Sequence, residues 1–314
     1  MLAVLGALFA NGVIAILKLA AALITGSSGM MAEALHSAAD TANQVFLLLG
    51  LRFFKRPASA KHPFGYGKER FFWSFIAAMF IFGVGATYAI YEGIIKLSHP
   101  HPPENLNWAY GVLGISFVLE TGSISLALYQ EAKEAQHEGL GLLQYIRESK
   151  DPTAKTVLFE DTAALLGIVI AAAGLVLTEH QVGPGVGSYW DGVASIVIGL
   201  VLAVVAFVLA RISRGLLLGE AANPKSLRAI KEAIESHPNV LNVVELLTMH
   251  LAPKQILINA HVAMRDDLMT GDIQKTIEEV EDLIRRAEPK VEMIFLEAAR
   301  PAHMETAPVA EHIG

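Results

Sequence analysis

The sequence predicts a polytopic α-helical membrane domain followed by a small α+β domain, and three observations carry that expectation. Apolar residues gather within residues 1–211 in six runs, each long enough for the ~20 residues that a membrane-crossing helix needs. Basic residues crowd into alternate connections between those runs. Beyond residue 211 the rhythm becomes that of an ordinary soluble domain. Composition agrees: 53% of the residues are hydrophobic and 18% charged, where a soluble domain carries about a quarter charged.

The runs lie near 2–25, 31–54, 71–97, 108–132, 156–178 and 189–211. The first lacks the basic lead-in of a secretion signal and continues to Thr25, so it reads as a span. The connection 55–70 holds Lys55, Arg56, Lys61, Lys68 and Arg70, and the connection 133–155 holds Lys133, Arg147, Lys150 and Lys155. The connections 26–30, 98–107 and 179–188 hold no Lys or Arg. The positive-inside rule then places both termini in the cytoplasm of a multi-pass protein, with the bacterial inner membrane as the expected host. Trp108, Tyr110, Tyr189 and Trp190 fall at the outer ends of the fourth and sixth runs, where interfacial aromatics belong. Gly83, Gly85, Gly192 and Gly199 offer small surfaces for close helix packing.

In the second part, Asn223-Pro224 is a helix start, and Leu227, Ile230, Ala233 and Ile234 follow at helical spacing. Two strands are expected over 240–251 and 255–264, turning at Pro253. In the second of them Ile256, Ile258, Ala260, Val262 and Met264 alternate onto one face. An amphipathic helix over 270–287 uses Ile273, Ile277, Val280 and Ile284, and a last strand covers 290–297. The order α-β-β-α-β suits a two-layer, ferredoxin- or metallochaperone-like domain over 212–300. Residues 301–314 read as a disordered tail.

Several function classes drop out. The net charge of −7 lies mostly after residue 211, which argues against a nucleic-acid partner. Without cysteine there are no disulfides, iron–sulfur clusters or Cys-based zinc sites, and a soft copper(I) carrier is disfavoured. No motif for an organic cofactor stands out.

Ionisable groups in mid-membrane cost at least ~2.5–3.5 kcal/mol each on insertion, so those present point to function. The second run carries His36 and Asp40, four apart and on one helix face, with Asn43 and Gln44 one turn on. The fourth carries Glu120, and the fifth carries Glu160 and Asp161. An imidazole and a carboxylate on one helix, joined by a carboxylate from another, form a set that suits zinc and related borderline cations. Glu160 and Asp161 point about 100° apart on a helix, so both can hardly enter one site.

The stretch Gly26-Ser27-Ser28-Gly29-Met30-Met31-Ala32-Glu33-Ala34-Leu35-His36-Ser37-Ala38-Ala39-Asp40 resembles the first loop and second helix of the cation diffusion facilitator family. His62-Pro63-Phe64-Gly65-Tyr66-Gly67-Lys68-Glu69-Arg70 is similar to that family's entry into the third helix. The likeness covers nearly the whole chain and implies a homodimeric metal/proton antiporter with a tetrahedral site between the second and fifth helices, His36 and Asp40 among its ligands. On the fifth helix the resemblance is to the zinc-transporter-nine-like branch, through Glu160-Asp161-Thr162-Ala163-Ala164. It puts Asp161 at one ligand position and Val157, which cannot ligate, at the other. Asn43, Gln44, Glu120, Glu160 or water must then complete the shell. Tyr66 stands where a second loop His is expected, and Phe295 where the C-terminal domain commonly has another, which leaves His261 as one matching position there. His261 reads as a surface or interface residue.

The expected function is secondary active efflux of a divalent transition metal, zinc before cadmium, cobalt, manganese or iron, in exchange for protons. Metals bind deprotonated carboxylate and neutral imidazole, so loading releases protons and reprotonation helps unloading. An uncoupled metal channel is the alternative. An intramembrane metalloenzyme lacks His-Glu-x-x-His and a base beside an open metal position.

Overall fold

A computed structural model describes residues 2–137, 139–149, 151–181 and 189–299. The expected tail at 301–314 lies outside them. The chain divides into two compact units, Met1–Ser59 with Glu69–Arg214, and Ala60–Lys68 with Gly215–Gly314.

The first unit is helical: α1 (Leu2–Thr25), α2 (Ser28–Phe54), α3 (Glu69–Phe80), a π-helical stretch (Ile81–Ala86), α4 (Thr87–Ser98), α5 (Leu106–His137), the short α6 (Leu142–Glu148), α7 (Pro152–Gln181) and α8 (Tyr189–Leu218). Among the described residues four helices are long and apolar enough to cross a membrane: Glu69–Ser98, Leu106–His137, Lys155–His180 and Tyr189–Leu218. Of the first two expected spans, α1 contributes the shorter apolar helix Asn11–Thr25 among the described residues, and α2, 27 residues long, interrupts its apolar residues with His36, Asp40, Asn43 and Gln44.

Close packing of α4 on α8 follows from the small residues. A Cβ on Gly93 would stand 2.6 Å from the Gly192 carbonyl oxygen and 2.6 Å from Ile196. One on Gly199 would meet Ile90 at 2.6 Å and the Ala86 oxygen at 3.0 Å. Backbones approach here because nothing larger than hydrogen stands between them. Gly83 faces open space, and Gly85 lies against Leu202 and Ala39.

Helix α2 begins at a well-made cap. Ser27 is extended and its hydroxyl accepts from the Met30 amide. The Asp191 carboxylate, fully buried on α8, accepts from Ser27 Oγ (2.6 Å), Ser28 N (2.8 Å), Ser28 Oγ (3.2 Å) and Gly29 N (3.1 Å). A carboxylate at a helix N-terminus satisfies orphan amides and the dipole together. Lys96 Nζ lies 3.5 Å from the same carboxylate and donates to the Gly26 carbonyl at 2.6 Å.

In the second unit, α9 (Pro224–Glu235) starts at an Asn223 cap that accepts from Ser226 N, with Pro224 inside the first turn. β1 (Val240–Ala252) pairs antiparallel with β2 (Gln255–Met264), and β2 pairs parallel with β3 (Val291–Ala299), the crossover being α10 (Thr270–Ala287). Ile256, Ile258, Ala260, Val262 and Met264 face the core as their alternation requires, against Ile230, Ile234, Val280 and Ile284. The boundary expected at 211/212 falls inside α8, which runs on to Leu218. Residues 60–68, expected as a connection of the membrane domain, group with the second unit instead. The reason is contact: a side chain on Gly67 would collide with the Leu251 carbonyl, and Lys68 Nζ donates to the Leu217 carbonyl at 3.3 Å.

Candidate metal centre

The polar residues of α2 form a stripe. Glu33, His36, Asp40, Asn43 and Gln44 recur at three- and four-residue steps, so one helix face carries them all. The facing helix is α7, running antiparallel to α2. Asn43 meets Glu160, Glu33 meets Gly167, and Gly29 meets Ala171.

Along this stripe Glu33, His36 and Asn43 are buried, His36 and Asn43 at 1% exposed each, while Asp40 and Gln44 are partly buried; Glu160, on α7, is 6% exposed. His36 Nδ1 stands 3.6 Å from Asp40 Oδ1, too far for a hydrogen bond. Both ring nitrogens of His36, Asp40 Oδ1, Asn43 Oδ1 and Gln44 Oε1 are buried without a hydrogen-bond partner. Native interiors leave few such atoms unpaired, so five on one helix face need a reason. The three oxygens and one of the two His36 nitrogens can offer a lone pair to a cation, the other ring nitrogen of the neutral imidazole carrying its proton.

Of the two adjacent acids on α7, Glu160 faces α2. The Asn43 amide nitrogen donates to its carboxylate at 2.6 and 2.5 Å. Asp161 points instead toward α5, where it accepts from Ser123 Oγ at 2.9 Å. Glu120 lies on α5 in the same neighbourhood: its charge and that of Asp161 both act on Asp40, and those of Asp40 and Asp161 act on Glu160. Four carboxylates crowded at low dielectric call for positive charge; the Lys18 ammonium acts on Asp40 and Glu120, and a divalent cation or protons can supply the rest. The groups lie side by side rather than already wrapped around one point. Among the described residues no three His, Asp or Glu side chains stand within joint reach of one ion.

Charges that sequence reasoning passed over are also here. Lys18 and Glu33 are 0% exposed and form an ion pair, Nζ to Oε2, of 2.8 Å. Their signal was available. The two residues sit at near-mirror positions about the turn at Gly26-Ser27, so a helical hairpin sets them opposite each other. Lys96 with Asp191 is a second such buried pair.

The remaining candidates lie in the second unit. His261 sits at the middle of a cross-strand triplet, Glu245↔His261↔Glu297, with Nδ1 3.4 Å from Glu245 and Nε2 3.3 Å from Glu297. His62 packs on Tyr66, the ring centroids 4.5 Å apart.

Residues 4–218 match the cation efflux transmembrane domain, and residues 222–297 match the cation efflux protein cytoplasmic domain. The proton-coupled zinc antiporter SLC30A9, mitochondrial, of Mus musculus is 32% identical over 286 residues, which is 89% of this chain and 50% of the mouse protein. Metal tolerance protein C4 of Arabidopsis thaliana is 33% identical over 273 residues, 87% of this chain and 59% of that protein. The cation-efflux pump FieF of Shewanella oneidensis is 26% identical over 257 residues, covering 82% and 79%. The chain thus spans about half the length of the animal relatives it matches. Among solved structures, the copper form of the MamM CTD aligns with 26% of this chain and 89% of its own, at 17% identity and a TM-score of 0.24.

Proposed function

Since the chain belongs to the cation efflux family, a family of metal cation transporters rather than enzymes, we propose that it moves zinc across a membrane in exchange for protons. The observation that carries this reading is the row of unpartnered lone pairs on α2 (His36, Asp40, Asn43, Gln44), with Glu160 opposite and Glu120 and Asp161 beside it. His36 and Asp40 are the primary ligands. Either Asp161 or Glu160 turns in from α7, with Asn43, Gln44, Glu120 or water completing the shell. A nitrogen-and-oxygen set of this kind suits zinc, and it also admits cadmium, cobalt, manganese and iron(II). Exchange follows because the ligands bind metal only when deprotonated.

The names of the mouse and Shewanella relatives support antiport and efflux. Six spans, with both termini on the cytoplasmic side, follow from the runs of apolar residues and from the segregation of Lys and Arg. The mouse relative is named mitochondrial, so the bacterial inner membrane rests on the sequence reading alone.

Purified protein in proteoliposomes holding a zinc-sensitive dye tests the coupling. A pH gradient should drive zinc uphill, and collapsing the gradient should stop net movement. Zinc that only runs down its own gradient, indifferent to pH, would instead make the protein a channel.

We also assign the second unit to pairing two copies of the chain. Its sheet leaves Leu247 and Phe295 each more than half exposed on the face away from α9 and α10, and C2 pairing is the commonest way to cover such a surface. Residues 212–300 expressed alone should be dimeric without metal in sedimentation. Calorimetry should find weak zinc binding, little changed by His261→Ala. A monomeric fragment, or a tight zinc site lost with His261, would overturn this assignment.

A further inference from the structure

Lys18 and Glu33 are buried charges that the proposed function leaves unused. Stability does not account for them. Each is costly to insert in a membrane interior, and replacing a buried ion pair with apolar side chains of similar volume is commonly neutral or stabilising. Two geometric facts point elsewhere. Lys18 occupies only one oxygen of Glu33, Oε2, at 2.8 Å. The other, Oε1, is buried without a partner and lies over Gly167 of α7, where any Cβ would collide with it. That free oxygen lies on the stripe of α2 that carries His36 and Asp40, three residues and about 4.5 Å of helix rise from His36. Both ring nitrogens of His36 are equally unpartnered and buried.

We infer that Glu33 and His36 form a second subsite for the transported divalent cation, one helical turn along α2 from the His36–Asp40 pair, and that Lys18 is the resident cation holding it between cargoes. This rests on the reading of His36 and Asp40 as cargo ligands. An ion leaving Asp40 keeps His36 and gains Glu33 Oε1, an imidazole and a carboxylate again, with water filling the remaining positions. The ammonium yields Glu33 as the ion arrives and returns as it departs. The stripe therefore never exposes an uncompensated carboxylate to the low-dielectric interior, and the nearby positive charge keeps the ion from lingering.

The bland alternative is a fastener between α1 and α2. The full chain carrying Lys18→Met with Glu33→Met separates the two, because both readings expect an apolar pair to fold. The variant should stay monodisperse and melt near wild type. Its equilibrium zinc affinity should stay within about threefold, since Asp40 is intact, while flux into proteoliposomes falls by about tenfold or more. Flux within about twofold of wild type would overturn the subsite. Should the double variant fail to fold, Glu33→Asp decides. It keeps the charge but withdraws the free oxygen, so the subsite requires slower flux and a fastener requires none. Asp40→Ala in the same assay keeps the two readings apart. If Asp40→Ala is inactive while the Lys18 and Glu33 variants transport normally, the subsite alone fails. If Asp40→Ala transports normally, the parent reading fails.

Discussion

On the proposed assignment, Asp40→Ala should abolish zinc flux and remove high-affinity zinc binding, while the protein still inserts, remains monodisperse and melts no lower than wild type. The direction of the stability change is the informative part. Asp40 Oδ1 makes no hydrogen bond and lies 3.6 Å from His36, within reach of the charges of Glu120, Asp161 and Glu33. Removing a carboxylate that repels Glu120 and Asp161 and has only His36, at 3.6 Å, as a near partner costs the fold little, and it relieves crowding. A residue kept for the fold would behave oppositely, because truncating one partner of a buried network leaves the other unsatisfied at about 1–3 kcal/mol. Zinc flux together with thermal melting in detergent checks both halves. Wild-type flux would remove Asp40 from the pathway, and a large fall in melting temperature would make it a structural residue.

Gly93→Leu is expected to prevent the membrane unit from assembling. A Cβ at this position would stand 2.6 Å from the Gly192 oxygen and 3.0 Å from the Ile196 amide nitrogen. These are backbone atoms of α8, which cannot turn aside as a side-chain tip can. Overpacking against side chains costs typically about 1–3 kcal/mol. Against a facing backbone the helices must part, and the seam with α8 is lost from Gly93 of α4 back to Ala86 at the end of the π-helical stretch. Size-exclusion chromatography of the detergent-solubilised variant should show aggregate or no recoverable protein. Gly83→Leu is the control, since its glycine meets nothing within 4 Å. Recovery of both variants at equal yield and melting temperature would refute the packing argument.

The second unit was readable almost residue by residue because its periods are clean. The alternation of Ile256 to Met264 and the helical spacing of Ile273 to Ile284 each admit one solution. In the membrane unit the charged residues of α2 and α7 were equally legible, since each stands out against apolar neighbours. Their partners were not. Glu160 and Asp161 are adjacent, so spacing alone leaves the rotation of α7 open. It is packing, with Gly167 and Ala171 also turned toward α2, that gives Glu160 to Asn43 and Asp161 to Ser123. Lys18 was hidden inside an apolar run, and Glu33 inside a loop-and-helix motif, although opposite charges mirrored about a hairpin turn form a pattern a reader can look for. The docking of residues 60–68 on β1 had no local signal. Only Gly67, with no side chain to hold it off the Leu251 carbonyl, hinted at a close approach.

The grip of Asp191 on Ser27, Ser28 and Gly29 has a mechanical corollary. Helix α2 is tethered at one extremity to α8, and through Lys96 and Gly26 to α4. A rigid tilt of α2 about that tether would be the motion of a lever held at its first turn. With about 1.5 Å of rise per residue, Asp40 hangs about 18 Å below the pivot, and the far end at Phe54 about 39 Å. A swing of about 10° carries Asp40 sideways by about 3 Å, more than a metal–oxygen bond of about 2.0–2.2 Å survives. The same swing moves Phe54 by about 7 Å and leaves Gly29 almost still. With Asp40 as a ligand, as proposed, a lever of this kind would turn a modest tilt into release of the ion at mid-helix, while the first turn at Ser27 to Gly29 keeps its hold on Asp191.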